Sequence, residues 1–123
     1  MEKGKHMILV VDDEKLIRWS LTQSLEGNGW DVISAETGEE ALEKARQTMF
    51  HVVITDLRLP GMDGIDLLKE IKQINPDCQI IIISAYGTSQ LAAEAKKLGA
   101  YDFIDKPFKI DEMKEVVRTM LVC

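Results

Sequence analysis

Apolar positions along this chain alternate between two rhythms. Short runs that are apolar at every position are each followed by a longer stretch whose apolar residues recur every three or four. Residues 7–11 (Met-Ile-Leu-Val-Val), 52–54 (Val-Val-Ile) and 80–83 (four isoleucines) are the unbroken runs, the pattern of strands buried on both faces. Residues 30–35 read as a further strand, broken by Asp31 and Ser34 as suits a sheet edge. The 79–84 stretch is the most strongly β-prone and should be a central strand. A short fifth strand falls within residues 100–106 and ends at Asp105-Lys106, just before Pro107.

The intervening stretches read as helices. Ile17, Leu21, Ser24 and Leu25 share one face of the first, which Gly27-Asn28-Gly29 ends. Thr37-Gly38-Glu39-Glu40 has the form of a capping box, with Thr37 as cap and Glu40 reaching back, before a small apolar face of Ala41, Leu42 and Ala45. Asp63 is placed to N-cap a helix carrying Leu67, Leu68, Ile71 and Ile74, stopped by Asn75-Pro76. Gly87-Thr88-Ser89 opens a helix through Leu98 that Gly99 ends; it has few large apolar residues and is expected to be the least firmly packed. Met113, Val117 and Met120 line one side of a last helix at about residues 110–121. Residues 1–5 carry no pattern and are expected to be a disordered lead-in or an expression remnant. Five strands alternating with five helices predict an α/β fold, a parallel sheet covered on both faces with right-handed crossovers.

Length and composition narrow the class. At 123 residues the chain fits one domain, 1–123. Fifteen basic against 21 acidic residues give a net charge of −6, which argues against direct nucleic-acid binding and against a membrane-surface role. Cys78 and Cys123 have no metal-ligand spacing and read as thiols of a reducing compartment. The first apolar run stops at Asp12-Asp13 after five residues, too short for a signal peptide, and no run is long enough to span a bilayer. A cytoplasmic location is expected. His6 and His51 read as surface or strand-flanking residues, and Trp19 lies off the apolar face of its helix.

The ends of the strands carry the chemistry. The first ends in Asp12-Asp13, the third in Asp56, the fourth in Ser84 and the fifth in Lys106. Parallel topology brings all these ends to one sheet edge, where α/β folds place their functional groups. Any one alone has a bland explanation: helix-dipole charge, a turn aspartate, a capping hydroxyl, a surface lysine. Together they demand a common cause. Crowded carboxylates repel one another, and a cation relieves that repulsion. An all-oxygen donor set favours a hard ion, Mg2+ above Ca2+, because Asp56, Asp63 and Asp66 lack EF-hand spacing. Lys106 adds an ammonium and Ser84 a hydroxyl donor. Carboxylate nucleophile, magnesium, lysine and hydroxyl make a site for phosphoryl transfer onto Asp56.

Val11-Asp12-Asp13, Asp56 within Asp-Leu-Arg-Leu-Pro-Gly-Met-Asp-Gly, Ser84-Ala85 and Lys106-Pro107-Phe108 together resemble a response-regulator receiver domain of the chemotaxis-Y type, over nearly the whole chain. Ile17-Arg18-Trp19-Ser20-Leu21 and Arg58 look closer to the nitrogen-regulator receivers that precede an ATPase of the sigma-54 activator class. The resemblance implies a flavodoxin-like doubly wound sheet of order 2-1-3-4-5. It implies that Asp56 is the phosphoacceptor and that Asp13, Asp56 and the Arg58 backbone carbonyl bind magnesium, with Asp12 acting through a coordinated water. Lys106 and Ser84 would contact the phosphoryl group, and the Lys106-Pro107 bond would be cis. Phe103 takes the switch-aromatic position, where tyrosine is frequent in the family. Arg58 and Tyr86 sit where the family tunes acyl-phosphate hydrolysis.

The partners implied are a sensor histidine kinase, a C-terminal output region (the ATPase and a DNA-binding domain) and a second copy on activation. The role is a signalling domain that controls transcription, not an enzyme acting on external substrate. Two alternatives are a phosphorylation-independent pseudo-receiver and a flavodoxin-like cofactor binder. The second needs a Ser/Thr/Gly-rich phosphate loop where this chain has Asp12-Asp13-Glu14.

Overall fold

The computed structural model describes residues 6–122; the expectation for residues 1–5 lies outside them. In chain order the elements are β1 (His6–Val11), α1 (Lys15–Leu25), β2 (Trp30–Ala35), α2 (Gly38–Gln47), β3 (Val52–Asp56), α3 (Gly64–Ile74), β4 (Gln79–Ser84), α4 (Ser89–Lys97), β5 (Asp102–Asp105) and α5 (Ile110–Val122). The strands form one parallel sheet in the order β2-β1-β3-β4-β5. β2 is an edge as its broken pattern required, and β4 lies inside the sheet, between β3 and β5.

Strand alternation explains why the inner strands are apolar throughout. Leu9, Val11, Val53, Ile80 and Ile82 face a core shared with Ala41 and Leu42 of α2, Leu67, Leu68 and Ile71 of α3, and Ala95 of α4. Ile8, Val10, Val52, Ile54, Ile81 and Ile83 face the other core, with Leu21 and Leu25 of α1 and Met113, Val117 and Met120 of α5. A strand with water on one face would alternate; these have none. All four isoleucines of β4 are fully buried, each stabilising the fold by roughly 1.5–3 kcal/mol relative to exposure.

Helix starts follow their caps. The Thr37 hydroxyl accepts from Glu40 N at 3.1 Å, the Asp63 carboxylate from Asp66 N at 2.9 Å, and the Thr88 hydroxyl from Leu91 N at 3.1 Å. Two local expectations need correction. Glu40 reaches back to Glu36 N (2.9 Å) rather than to the cap's own N–H, because the preceding turn carries that amide over the helix end. Ile74 is exposed, since it ends α3 where the sheet no longer covers it. α4 buries only Ala95, in line with its sparse apolar face.

His51 directly precedes β3, and its Nδ1 accepts from Met7 N at 2.9 Å; its ring meets that of His6 edge-on, centroids 4.9 Å apart. No helix among the described residues is long and apolar enough to cross a membrane.

Candidate functional site

The carboxyl ends of β1, β3, β4 and β5 converge through register. Val11 lies beside Thr55, Asp56 beside Ile83, and Ser84 beside Asp105. Backbone bonds carry the pairing past the last strand residue: Leu57 N donates to Ile83 O at 2.8 Å and Lys106 N to Ser84 O at 2.8 Å. Each chemically capable residue therefore leaves a hydrogen-bonded strand end, which holds it in place.

Asp56 is nearly buried and Asp12 completely so, while Asp13 is exposed. One carboxylate oxygen from each of the three can be chosen so that all lie within 4.8 Å of one another. Burial raises the Asp12 pKa above the ordinary carboxylate value; its bond from Glu14 N opposes this and the charge of Asp56 adds to it. Asp56 Oδ1 accepts from Arg58 N at 3.3 Å.

Lys106 is the counter-charge. Its Nζ lies 3.0 Å from Glu14 Oε1, 3.2 Å from Asp56 Oδ2 and 3.3 Å from Asp12 Oδ2. The first two are hydrogen bonds. The third is a charge contact off the bonding direction, so Asp12 Oδ2 is buried with no hydrogen-bond donor. Partial burial pulls the Lys106 pKa down, but the bond to Glu14 and the charges of Asp12 and Asp56 outweigh it and hold the ammonium above its ordinary value. Lys106 thus stands among three carboxylates.

Ser84 is fully buried at the end of β4, and its hydroxyl accepts from Tyr86 N at 3.1 Å. Phe103 sits on β5 away from the carboxylates, half-buried against the α2–α4 core. Tyr86 is largely exposed, as is Arg58. The Lys106–Pro107 peptide bond is cis. Cys78 is buried, which pushes its thiol pKa up to about 12 and leaves it unreactive.

Three further residues shape the site. Arg18 Nη1 donates to the Asp12 carbonyl at 2.7 Å and its Nη2 lies 3.4 Å from Glu36, tying α1 to the acidic loop. Glu14 stands at the N-cap of α1 but makes no side-chain capping bond, and its carboxylate accepts from Lys106. Gly64 lets α3 start against the end of β3: a Cβ there would stand 2.6 Å from Asp56 O. Only Gly64 carried a readable signal, its place directly after a capping aspartate.

A divalent cation fits this geometry. The donor set is all carboxylate oxygen, one of them buried without a donor, and their spacing suits joint coordination. Beside the carboxylates opens a groove of about 490 Å³, lined by Leu16, Ile17, Ala85, Pro107 and Phe108 among others.

Comparison with known proteins bears on what this edge is. A family model described as response regulator receiver domain matches residues 8–118. The DNA-binding transcriptional regulator NtrC of Escherichia coli is 41% identical over 117 residues, covering 95% of this chain and 24% of that protein. The chemotaxis protein CheY of Bacillus subtilis is 41% identical over 117 residues, covering 94% of this chain and 98% of that protein. The solution structure of the beryllofluoride-activated NtrC4 receiver domain dimer matches with a TM-score of 0.87 at 35% identity, covering 93% of this chain and 94% of that one. The chain thus spans about a quarter of the NtrC and ZraR relatives. With the family model matched over most of its length and the sheet order of these folds, the chain belongs to the response-regulator receiver domains of two-component systems.

Proposed function

We propose that Asp56 accepts a phosphoryl group from a phosphohistidine of a sensor histidine kinase. The observation that carries this reading is the pinning of one lysine ammonium between the buried carboxylates of Asp12 and Asp56. A carboxylate oxygen of Asp56 attacks phosphorus in line; the O–P bond forms as the P–N bond breaks, and the electron pair leaves with the imidazole. Lys106 balances charge on the transferred group, and the Ser84 hydroxyl, whose oxygen accepts from Tyr86 N, keeps its O–H to donate to one of the phosphoryl oxygens. Asp13, Asp56 and the Arg58 carbonyl would hold Mg2+ directly and Asp12 through water, and the ion, when bound, neutralises the phosphoryl oxygens. The apolar groove that Lys106 and Glu14 border is suited to receive the kinase surface that presents the histidine.

The acyl phosphate carries roughly −1.5 to −2 charge near neutral pH. Its contacts to Ser84 and Lys106 bias a rearrangement of α4, β5 and α5, with Phe103 repacking. A swing from 1:99 to 99:1 requires those contacts to differ by about 5.5 kcal/mol between states. α4, which buries only Ala95, offers least resistance. NtrC is named as a DNA-binding transcriptional regulator. Control of transcription through a further output region, cytoplasmic and dimeric when active, is the downstream role we infer.

The test is incorporation of acid-labile phosphate from acetyl phosphate with magnesium. The wild-type chain takes label and Asp56→Asn takes none; undiminished labelling of the variant would overturn the assignment.

A further inference from the structure

Glu14 has no place in the chemistry above, yet it makes the shortest contact to Lys106. Its Oε1 accepts from Nζ at 3.0 Å, against 3.2 Å for Asp56 and 3.3 Å for Asp12. It stands outside the carboxylate group that could share a cation, which comprises Asp12, Asp13 and Asp56. It occupies the N-cap position of α1 without making a capping bond, so its side chain is not engaged by the helix. The lysine side chain is 13% exposed and that of Glu14 60%. An exposed carboxylate therefore holds a nearly buried ammonium from the solvent side.

We propose that Glu14 is a positioning residue that occupies Lys106 in the unmodified protein and so restrains phosphorylation of Asp56. This rests on the phosphoacceptor reading. An ammonium has three donors, and here Glu14 and Asp56 take two of them. Asp12 Oδ2 holds the ammonium on a third side by charge, at 3.3 Å, so an incoming phosphoryl oxygen competes with three carboxylates for it. Asp12 is buried and Asp56 is itself being converted, so the competitor left to release is Glu14. Its charge also adds repulsion toward a group that carries roughly two negative charges. The contact is solvent-facing, and exposed ion pairs are weak, which makes this a restraint of about two- to five-fold rather than a lock.

The experiment compares the wild type with Glu14→Gln, which keeps shape and removes charge at an exposed position. The first readout is the initial rate of Asp56 labelling by acetyl phosphate, expected to rise about two- to five-fold in the variant. The second, on metal-free protein, is acylation of Lys106 by an amine-reactive ester, read by peptide mass spectrometry with Lys44 and Lys72 as internal standards. It should rise by a similar factor, because a structural role for Glu14 elsewhere would leave Lys106 unchanged. Equal or slower labelling of the variant overturns the proposal, as does unchanged Lys106 reactivity. Absence of label on the wild type overturns the phosphoacceptor reading itself, which separates the two failures.

Discussion

Gly64→Ala is a perturbation whose size can be worked from the structure. The new Cβ would stand 2.6 Å from Asp56 O, 2.9 Å from Leu57 Cα and 3.3 Å from Asp56 C. All three are backbone atoms, so no side-chain rotation relieves the overlap. Neither partner is free to withdraw. Gly64 N donates to Leu57 O at 2.7 Å, and Leu57 N is bound to Ile83 O at 2.8 Å. Two effects then compete. Alanine is favoured over glycine in a helix interior by about 1 kcal/mol, and less at the first helical position, where Gly64 lies. Overpacking costs typically about 1–3 kcal/mol, and a clash with backbone on both sides belongs at the upper end. The net expectation is a loss of about 2 kcal/mol, which lowers the urea midpoint by about 1 M for a slope of about 2 kcal/mol per M.

Urea unfolding followed by far-UV dichroism measures this, with Gly27→Ala as the control. Gly27 has φ 89° and nothing within 4 Å of where the added methyl would stand, so that substitution costs only the left-handed backbone penalty, about 1 kcal/mol. A Gly64→Ala midpoint within experimental error of wild type, or above that of the control, would refute the close-approach argument. The clashing carbonyl is that of Asp56 itself, so folded Gly64→Ala should also label more slowly from acetyl phosphate, while Gly27→Ala labels normally.

Two further predictions use other parts of the fold. A Cβ on Gly87 would overlap Phe103 Cε1 and lie 2.9 Å from Cζ; because the obstacle is a ring edge and not backbone, Gly87→Ala should displace the ring, shifting Phe103 aromatic resonances without phosphorylation, and an unmoved ring would show that Phe103 does not rest there. Burial and the neighbouring His6 lower the His51 pKa below its ordinary 6.5, so the unfolded chain binds more protons in that window and stability falls as pH drops through it. Urea midpoints between about pH 7.5 and 5.5 should therefore decline more steeply for wild type than for His51→Asn; parallel slopes would remove the histidine from the account.

What the sequence disclosed follows from the range of the forces involved. Inner strands must be apolar on both faces, so β1, β3 and β4 announced themselves by composition, and β2 betrayed its edge position through Asp31 and Ser34. Caps are local bonds spanning three residues, and Thr37, Asp63 and Thr88 were each legible or nearly so. The departures occur where a contact is settled by packing angle. Whether Glu40 meets the amide of Glu36 or of Thr37 depends on how the turn folds over the helix. Whether Ile74 is covered depends on where the sheet ends, and helical spacing carries neither fact.

The site divides along the same line. Asp12, Asp13, Asp56, Ser84 and Lys106 could be gathered on paper because topology alone carries parallel strand ends to one edge. Topology does not say how an ammonium distributes its bonds among carboxylates that reach it from different loops. Glu14 and Lys106 are 92 residues apart, and no periodicity links them. Next to Asp12-Asp13, a third acid is most economically read as charge for the helix that follows. The structure adds a partner to that reading: Glu14 stands at the N-cap of α1, makes no side-chain capping bond, and meets Lys106 from the end of β5. The residue that completes the acidic run in the sequence is thus, in space, a competitor for the site's only bound ammonium among the described residues. A site built from strand ends can be located from sequence; the balance of charge within it is set by side chains that the loops bring in.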